Sequence, residues 1–182
     1  MDNPLLWRHR LPDNISPGTP EAAFMQAQSL TAALRGLNAV FSVHLLHLGN
    51  SGFDPLFSDG LINSGTQNWF ARDVLLCLNG KPVVWARSLC RQTSANWRSL
   101  LDCGTRPLGE RLFDGSLPLT RSPFEYTALP PRYPLAGFDG YAVAARRSLF
   151  RWQGETLGLA ECFLPALQSF VQPADGQDTI RL

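Results

Sequence analysis

The stretch that decides the fold is Asn68–Leu89, NWFARDVLLCLNGKPVVWARSL, in which two strand-like runs flank Asn79-Gly80. An Asn-Gly pair between two apolar runs is the strongest short-range signal for a β-hairpin, because a type I′ turn needs positive φ at both central residues. A two-residue turn also fixes the register of the strands, which places Arg72 opposite Arg87. We therefore predict a hairpin that carries two arginines face to face.

The facing arginines suggest a binding site for an anion. Two like charges directly opposed among apolar neighbours destabilise a sheet, and a carboxylate or dicarboxylate bound between Arg72 and Arg87 would remove the conflict. Other arrangements are open at this stage. Either arginine can instead pair with Asp73, with Glu161 or with a carboxylate elsewhere in the chain, and the shared face can be exposed to solvent.

Length and composition describe an ordinary single domain. The 182 residues are enough to bury a sizeable core, and a net charge of +1 gives no reason to expect nucleic acid as a partner. The sequence contains no run of about 18 apolar residues, so we predict no membrane span. The first residues lack the apolar segment of a signal peptide, so we expect a cytoplasmic protein.

Metal and nucleophilic chemistry find little support in the sequence. His44 and His47 are three residues apart on a predicted strand, so they point to opposite faces and cannot form a metal pair. No serine or cysteine has a recognisable base partner, and no glycine-rich phosphate loop follows a strand. We expect buried free thiols for the four cysteines, which form no C-x-x-C pair and match no zinc motif: Cys77, Cys90, Cys103 and Cys162.

The chain divides into three segments by composition. Residues 1–18 are rich in Pro, Asn and Asp and are predicted to be an irregular leader. Residues 19–172 are predicted to form a single domain, and 173–182 a disordered tail.

Within the domain, a helix is predicted from Thr19-Pro20 to about Arg35. Threonine is a good N-cap and proline suits the first helical position, while Gly36 would end the helix. The Gly-, Ser- and Asn-rich stretch 49–67 is long for a connection inside a compact domain, which is typical of a lid or binding loop.

A second hairpin is predicted near the end of the domain. Tyr141–Trp152 and Glu155–Leu164 read as strands on either side of Gln153-Gly154. The whole chain gives about six strands and two or three helices, joined by hairpins and without the alternation typical of a parallel sheet. This pattern predicts an α+β fold built on a single antiparallel β-sheet.

Glu161 is a carboxylate that the pattern places on an apolar strand face. Its strand neighbours include Leu159 and Phe163, and a carboxylate among such residues is costly unless it is paired or protonated. A two-residue turn makes Arg146 its cross-strand partner, or Arg147 if the register slips. The sequence leaves open whether Glu161 belongs to a structural ion pair or to a functional site.

Several segments resemble the chorismate pyruvate-lyase family, whose members convert chorismate to 4-hydroxybenzoate and pyruvate in ubiquinone synthesis. The resemblance covers roughly 20–168, and it depends on the order and spacing of the pieces rather than on any single one. The pieces are Trp69–Cys77 with the Asn-Gly turn, Ala86–Ser88, Pro107–Phe113, Leu119–Arg121, Ala145–Ser148 and Ala160–Pro165.

The resemblance implies roles for five residues. Arg72 would hold the ring carboxylate of chorismate, Arg87 the enolpyruvyl carboxylate, and Glu161 the ring hydroxyl. Leu108, and Leu30 at a position where relatives often carry Met, would contact the ligand through their backbones.

The resemblance also implies an architecture. Helices would pack on one side of the sheet, and the first helix together with the loop 49–67 would form flaps over an internal ligand site. No cofactor or metal would be needed. We expect a monomer whose partners are its substrate chorismate and its product 4-hydroxybenzoate.

Two other functions are compatible with the same residues. Ligand-binding domains of some bacterial transcription regulators share this fold type and sense small acids, although residues 1–18 are too few for a DNA-binding helix-turn-helix. A lyase that has lost activity and only carries an aromatic acid is the other, although Arg72, Arg87 and Glu161 are all present.

Overall fold

Seven antiparallel strands form one sheet in the computed structural model, which describes residues 4–58 and 68–172. The strands are β1 (Phe41–Ser51), β2 (Trp69–Leu78), β3 (Lys81–Arg91), β4 (Thr120–Arg121), β5 (Glu125–Ala128), β6 (Ala144–Trp152) and β7 (Glu155–Phe163). Their order across the sheet is β1-β2-β3-β7-β6-β4, and β5 also pairs with β6. The predicted α+β fold with a single antiparallel sheet is confirmed.

Both predicted hairpins form, and their turns explain why. Asn79 and Gly80 have φ of 50° and 76°, and Gln153 and Gly154 have φ of 50° and 77°. Positive φ at both central residues matches the right-handed twist of the flanking strands, so each turn closes a two-residue hairpin. The first turn joins β2 to β3, and the second joins β6 to β7.

The predicted register of the first hairpin is wrong beyond its second residue pair. Cys77 lies opposite Pro82, but Leu76 lies opposite Val84, so β3 carries one extra residue at a bulge. Proline cannot donate to a strand ladder and is found at such irregularities, which is the signal that the sequence reading missed.

The bulge moves the two arginines to opposite faces of the sheet. Arg72 lies opposite Ser88, and Arg87 lies opposite Asp73. Because side chains alternate with a period of two, a shift of one residue on one strand exchanges its faces relative to the other strand. The expectation that Arg72 and Arg87 oppose each other is therefore wrong.

Helices cover one face of the sheet, as expected. These are α1 (Pro20–Gln26), α2 (Leu30–Arg35), α3 (Ala95–Leu101) and α4 (Leu108–Phe113), with the short α5 (Gln168–Val171) beside α1. Met25, Leu30 and Leu34 pack on Val74 and Leu76. The opposite face, which carries Leu75 and Trp85, is covered by the 3-10 turn Pro55–Phe57 and by residues 129–142.

The helix predicted from Thr19 to Arg35 is two helices. The Thr19 side chain caps α1 as expected by accepting from the Ala22 amide at 3.2 Å, and Gly36 ends α2. Between them, the Ser29 side chain caps a new helix by accepting from the Ala32 amide at 3.3 Å. A serine before a helical turn competes with helix continuation, since its hydroxyl replaces a backbone acceptor.

The leader packs on the domain although it is largely irregular. Arg8 forms a single β-bridge with Tyr126, and Ile15 is buried. The loop expected at 49–67 begins later, since β1 runs to Ser51. Its part 59–67, like the tail expected at 173–182, lies outside the described residues. None of the described helices is long and apolar enough to cross a membrane.

Candidate active site

Two neighbouring rows of residues across β2, β3 and β7 form the floor of the candidate site. In the first row Arg72 lies opposite Ser88, which lies opposite Leu159. In the second row Val74 lies opposite Ala86, which lies opposite Glu161. All six side chains point toward the helices, because they share one face of the pleated sheet.

A cavity of about 40 Å³ lies between this floor and two short helices. The roof comes from the starts of α2 and α4, which lie so close that a Cβ on Gly109 would stand 3.0 Å from the Thr31 hydroxyl oxygen. The cavity is lined by Leu30, Thr31, Val43, Arg72, Val74, Leu76, Ala86, Ser88, Pro107, Leu108, Gly109, Phe113, Leu159 and Glu161. Arg72, Glu161, Leu30 and Leu108 thus meet in one place.

Arg72 is a buried cation without a carboxylate partner among the described residues. It is 2% exposed, and its Nη2 donates to the backbone oxygens of Gly104 and Arg106 at 2.9 and 3.1 Å. No described residue accepts from its Nε or Nη1. Burial lowers the pKa of Arg72 below its ordinary value, with a small opposing effect from Cys103. A buried guanidinium in this state favours binding of an anion.

Glu161 forms an ion pair and still lines the cavity. Its Oε2 accepts from Nε of Arg146 at 2.5 Å, in the cross-strand register that the second hairpin predicts. Arg147 lies opposite Ala160, so the alternative with a slipped register is wrong. No described residue donates to Oε1 of Glu161, which leaves that oxygen able to accept from a ligand hydroxyl.

The spacing of Arg72 and Glu161 suits a small aromatic acid. β3 alone separates their strands, and the two residues lie one row apart, so their backbones are about 12 Å apart at the usual strand spacing and rise per residue. Between them the floor carries only the small side chains Ala86 and Ser88. The floor can bind a flat molecule with a carboxylate at one end and a hydroxyl at the other only when the roof moves away, because the cavity of about 40 Å³ is too small for it.

Arg87 lies on the opposite face, inside an ion-pair cluster of its own. Its Nε and Nη2 each donate to Asp73 at 2.7 Å, and its Nη1 donates to Asp54 at 2.5 Å. Burial alone would lower the pKa of Arg87, but its hydrogen bonds and attraction to these two carboxylates outweigh burial and raise it. The expected clamp, with Arg72 and Arg87 on one ligand, is not formed in this geometry.

Two side-chain hydroxyls of the cavity were not predicted from the sequence. Ser88 and Thr31 both line the cavity, and neither side chain forms a hydrogen bond with the described residues. Ser88 falls on the Arg72 face only because of the bulge, and the signal for the bulge was Pro82. Thr31 follows Leu30 in the first turn of α2. It was missed because no new helix was predicted to begin there.

The four cysteines are buried free thiols, as expected. Burial raises the pKa of Cys90 to about 12 and also raises the pKa of Cys77 and Cys162. These thiols are therefore protonated and poor nucleophiles near neutral pH. Over the described part of the chain, no three His, Cys, Asp or Glu side chains cluster closely enough to hold a metal ion.

Comparison with known proteins gives a consistent family. Residues 3–172 match the family model described as Chorismate lyase. A protein of Pseudomonas fluorescens named probable chorismate pyruvate-lyase 1 is 32% identical over 96% of this chain and 97% of its own length. A probable chorismate pyruvate-lyase of Ralstonia nicotianae is 35% identical over 92% of each chain.

Similarity to solved structures is weaker. The C-terminal domain of a histidine utilization repressor from Pseudomonas syringae covers 77% of this chain and 99% of its own, at 12% identity and a TM-score of 0.45. A score at this level assigns no function.

Proposed function

Because this chain belongs to the chorismate lyase family, we propose that it eliminates pyruvate from chorismate and leaves 4-hydroxybenzoate, the first committed step of ubiquinone synthesis. One observation carries the proposal. Arg72, buried and without a carboxylate partner among the described residues, shares a small cavity with the acid Glu161. The pair provides a binding group for each end of a hydroxylated ring acid.

The proposed roles follow from the donors and acceptors of each group. Arg72 binds the ring carboxylate, because its Nε and Nη1 need an acceptor and a guanidinium binds carboxylates strongly. Glu161 accepts from the ring hydroxyl through its free oxygen. Leu30 and Leu108, at the first positions of α2 and α4, contact the ring from the roof through their backbones.

The reaction needs little beyond binding and exclusion of water. The bond between C3 of the ring and the ether oxygen breaks, C4 loses its hydrogen, and the enolpyruvyl group leaves as pyruvate. The ring becomes aromatic, which supplies the driving force. The hydrogen passes directly to the methylene carbon of the leaving group, or as a proton to Glu161, which then returns a proton to that carbon so that the enolate becomes pyruvate. In either route the protein contributes by selecting the reactive conformation.

The roof must move to admit the substrate. A cavity of about 40 Å³ is far smaller than the ~150 Å³ of a cavity that binds benzene. The starts of α2 and α4 are the parts that cover the floor, and both helices have only six residues. Ser88 and Thr31 then offer hydroxyls to the remaining polar groups of chorismate.

Arg87 receives a different role from the one the resemblance implied. Its three hydrogen bonds to carboxylates occupy the face away from the cavity, so we propose that it stabilises the hairpin beneath Arg72 rather than binding the enolpyruvyl carboxylate.

A pyruvate assay tests the proposal. Purified protein with chorismate should release pyruvate and 4-hydroxybenzoate in equal amounts, with and without a metal chelator. Arg72→Met and Glu161→Gln should lower kcat/KM strongly. Release of no pyruvate above the spontaneous rate would contradict the proposal, and tight binding of 4-hydroxybenzoate without turnover would indicate the carrier or sensor function instead.

The same assay tests substrate choice. Isochorismate should give little pyruvate, because its hydroxyl lies next to the ring carboxylate and not across the ring from it. Prephenate should also give little, because its pyruvyl group is attached through carbon and offers no ether bond to eliminate. Analysis of the product distinguishes 4-hydroxybenzoate from 3-hydroxybenzoate. The monomeric state and cytoplasmic location remain predictions, which sedimentation and cell fractionation can check.

A further inference from the structure

We propose that Arg146 is a positioning residue for this site, one that fixes Glu161 and the roof of the cavity relative to each other. This inference rests on the proposed function, because it concerns how a ligand hydroxyl is received at Glu161. Arg146 does not line the cavity itself.

A single guanidinium joins the acid of the site to the end of α1. Arg146 donates from Nε to Oε2 of Glu161 at 2.5 Å, and from Nη1 to the backbone oxygens of Met25 and Ala27 at 3.0 and 2.6 Å. The group is planar and rigid, so these bonds fix the distance and angle between Glu161 and the helix end.

The carbonyls that Arg146 binds lie where the first helix breaks. Ala27 is the C-cap of α1, and its ψ of 133° turns the chain out of the helix. Arg121 holds the next residue by donating from Nη1 to the Gln28 backbone oxygen at 2.9 Å. Two residues further on, Leu30 begins α2 and the roof of the cavity. Movement of α2 therefore acts on the bonds that orient Glu161.

The surroundings of Arg146 hold the guanidinium in place. It is 2% exposed, and its central carbon lies 4.2 Å from the centroid of the Phe124 ring, which favours a cation above its face. The carbon of Arg121 lies 4.3 Å from the same centroid. Such a group has few alternative positions, so the orientation of Glu161 is set before a ligand arrives.

The next residue in the strand provides a matched control. Arg147 is also 2% exposed, but it points to the opposite face, where it donates to Glu125 at 3.0 Å and to the Leu56 backbone oxygen at 2.8 Å. A change at Arg147 removes a buried arginine of β6 without touching Glu161 or α1. An effect that appears in the variants of both arginines therefore reflects a loss of structure and not the orientation of Glu161.

The test compares two ligands that differ by the hydroxyl. Isothermal titration gives the affinities of 4-hydroxybenzoate and benzoate for the parent, Arg146→Gln, Arg146→Lys and Arg147→Gln. In the parent and in Arg147→Gln the hydroxyl should improve affinity about tenfold or more, as a hydrogen bond to a charged group does. In Arg146→Gln the two ligands should bind about equally, with benzoate affinity close to the parent's.

The lysine variant keeps the inference falsifiable if Arg146→Gln fails to fold. An ammonium keeps the charge but not the planar fork, so the hydroxyl advantage in Arg146→Lys should fall at least about threefold. An unchanged advantage in either Arg146 variant would overturn the inference while leaving the proposed function intact. Failure of the parent to bind 4-hydroxybenzoate would contradict the proposed function and, with it, this inference.

Discussion

Arg72 and Arg87 stand on opposite faces of the sheet, one without a carboxylate partner in the described chain and the other bound to two carboxylates. Both are buried, so the difference lies in their partners rather than in their exposure. Arg87 completes a structural cluster, whereas we expect Arg72 to bind an anion from outside the protein. The two positions therefore respond in opposite ways to substitution.

Removal of Arg72 should weaken ligand binding without destabilising the fold. In Arg72→Met the affinity for 4-hydroxybenzoate should fall about 100-fold, since a buried charge-assisted bond worth ~3 kcal/mol is lost. The melting temperature of the ligand-free protein should equal or exceed the parent's, because an unpaired buried cation is gone and the exposed Gly104 and Arg106 can bind water. Titration and thermal unfolding measure both, and an unstable variant would contradict the account.

Removal of Arg87 should have the reverse effect. In Arg87→Met, Asp73 and Asp54 remain buried without a counter-ion, so the free energy of unfolding should fall by about 3 kcal/mol. The folded fraction should bind 4-hydroxybenzoate within about threefold of the parent. Denaturant titration and ligand titration check the two parts. A loss of affinity equal to that of Arg72→Met would show that Arg87 contacts the ligand.

The contact between α2 and α4 should control closure of the roof. A methyl group in Gly109→Ala would press on Thr31, whose hydroxyl oxygen would be 3.0 Å away, so the roof should close less well. Affinity for 4-hydroxybenzoate should fall about tenfold, within the usual cost of overpacking. Gly52→Ala is the control, because its Cβ meets no atom within 4 Å. Equal affinities in the two variants would refute this description of the roof.

Alkaline pH should destabilise the protein through Cys90. Burial raises the pKa of this thiol from 9.0 to about 12. Below pH 9 the folded and unfolded chains both keep the proton, and the stabilisation is complete. Between pH 9 and 12 only the unfolded chain releases it, so the free energy of unfolding should fall by up to about 1.4 kcal/mol per pH unit from this group.

Denaturant titrations of the parent and Cys90→Ala under reducing conditions measure this effect. From pH 9 to 11 the parent should lose stability more steeply than the variant, whatever the variant's stability at pH 8. Parallel slopes would show that the buried thiol does not titrate in this range.

The features that could be predicted from the sequence are those that depend on neighbouring residues in the chain. Asn79-Gly80 and Gln153-Gly154 are turns whose residue types specify their geometry, so both hairpins and the pairing of Arg146 with Glu161 were found. The bulge was not found, because a single extra residue depends on how Pro82 fits the ladder and on the packing of both faces. That one residue decides which face Arg87 occupies.

The break between α1 and α2 was missed for a different reason. Local signals favour a helix on both sides, and the carbonyls at the break are bound by Arg146, which lies 119 residues from Ala27 in the sequence. Contacts so distant in sequence leave no local pattern. Arg72, Glu161, Leu30 and Leu108 nevertheless line one cavity. Their assignment as ligand-binding residues came from the resemblance and stays a prediction.

A crystal structure of the protein with 4-hydroxybenzoate tests the central claim most directly. The ligand should lie between α2 and the floor, with its carboxylate about 3 Å from Nε or Nη1 of Arg72 and its hydroxyl about 3 Å from Glu161. Electron density for the ligand beside Arg87 on the other face, with the Arg72 cavity empty, would contradict the account.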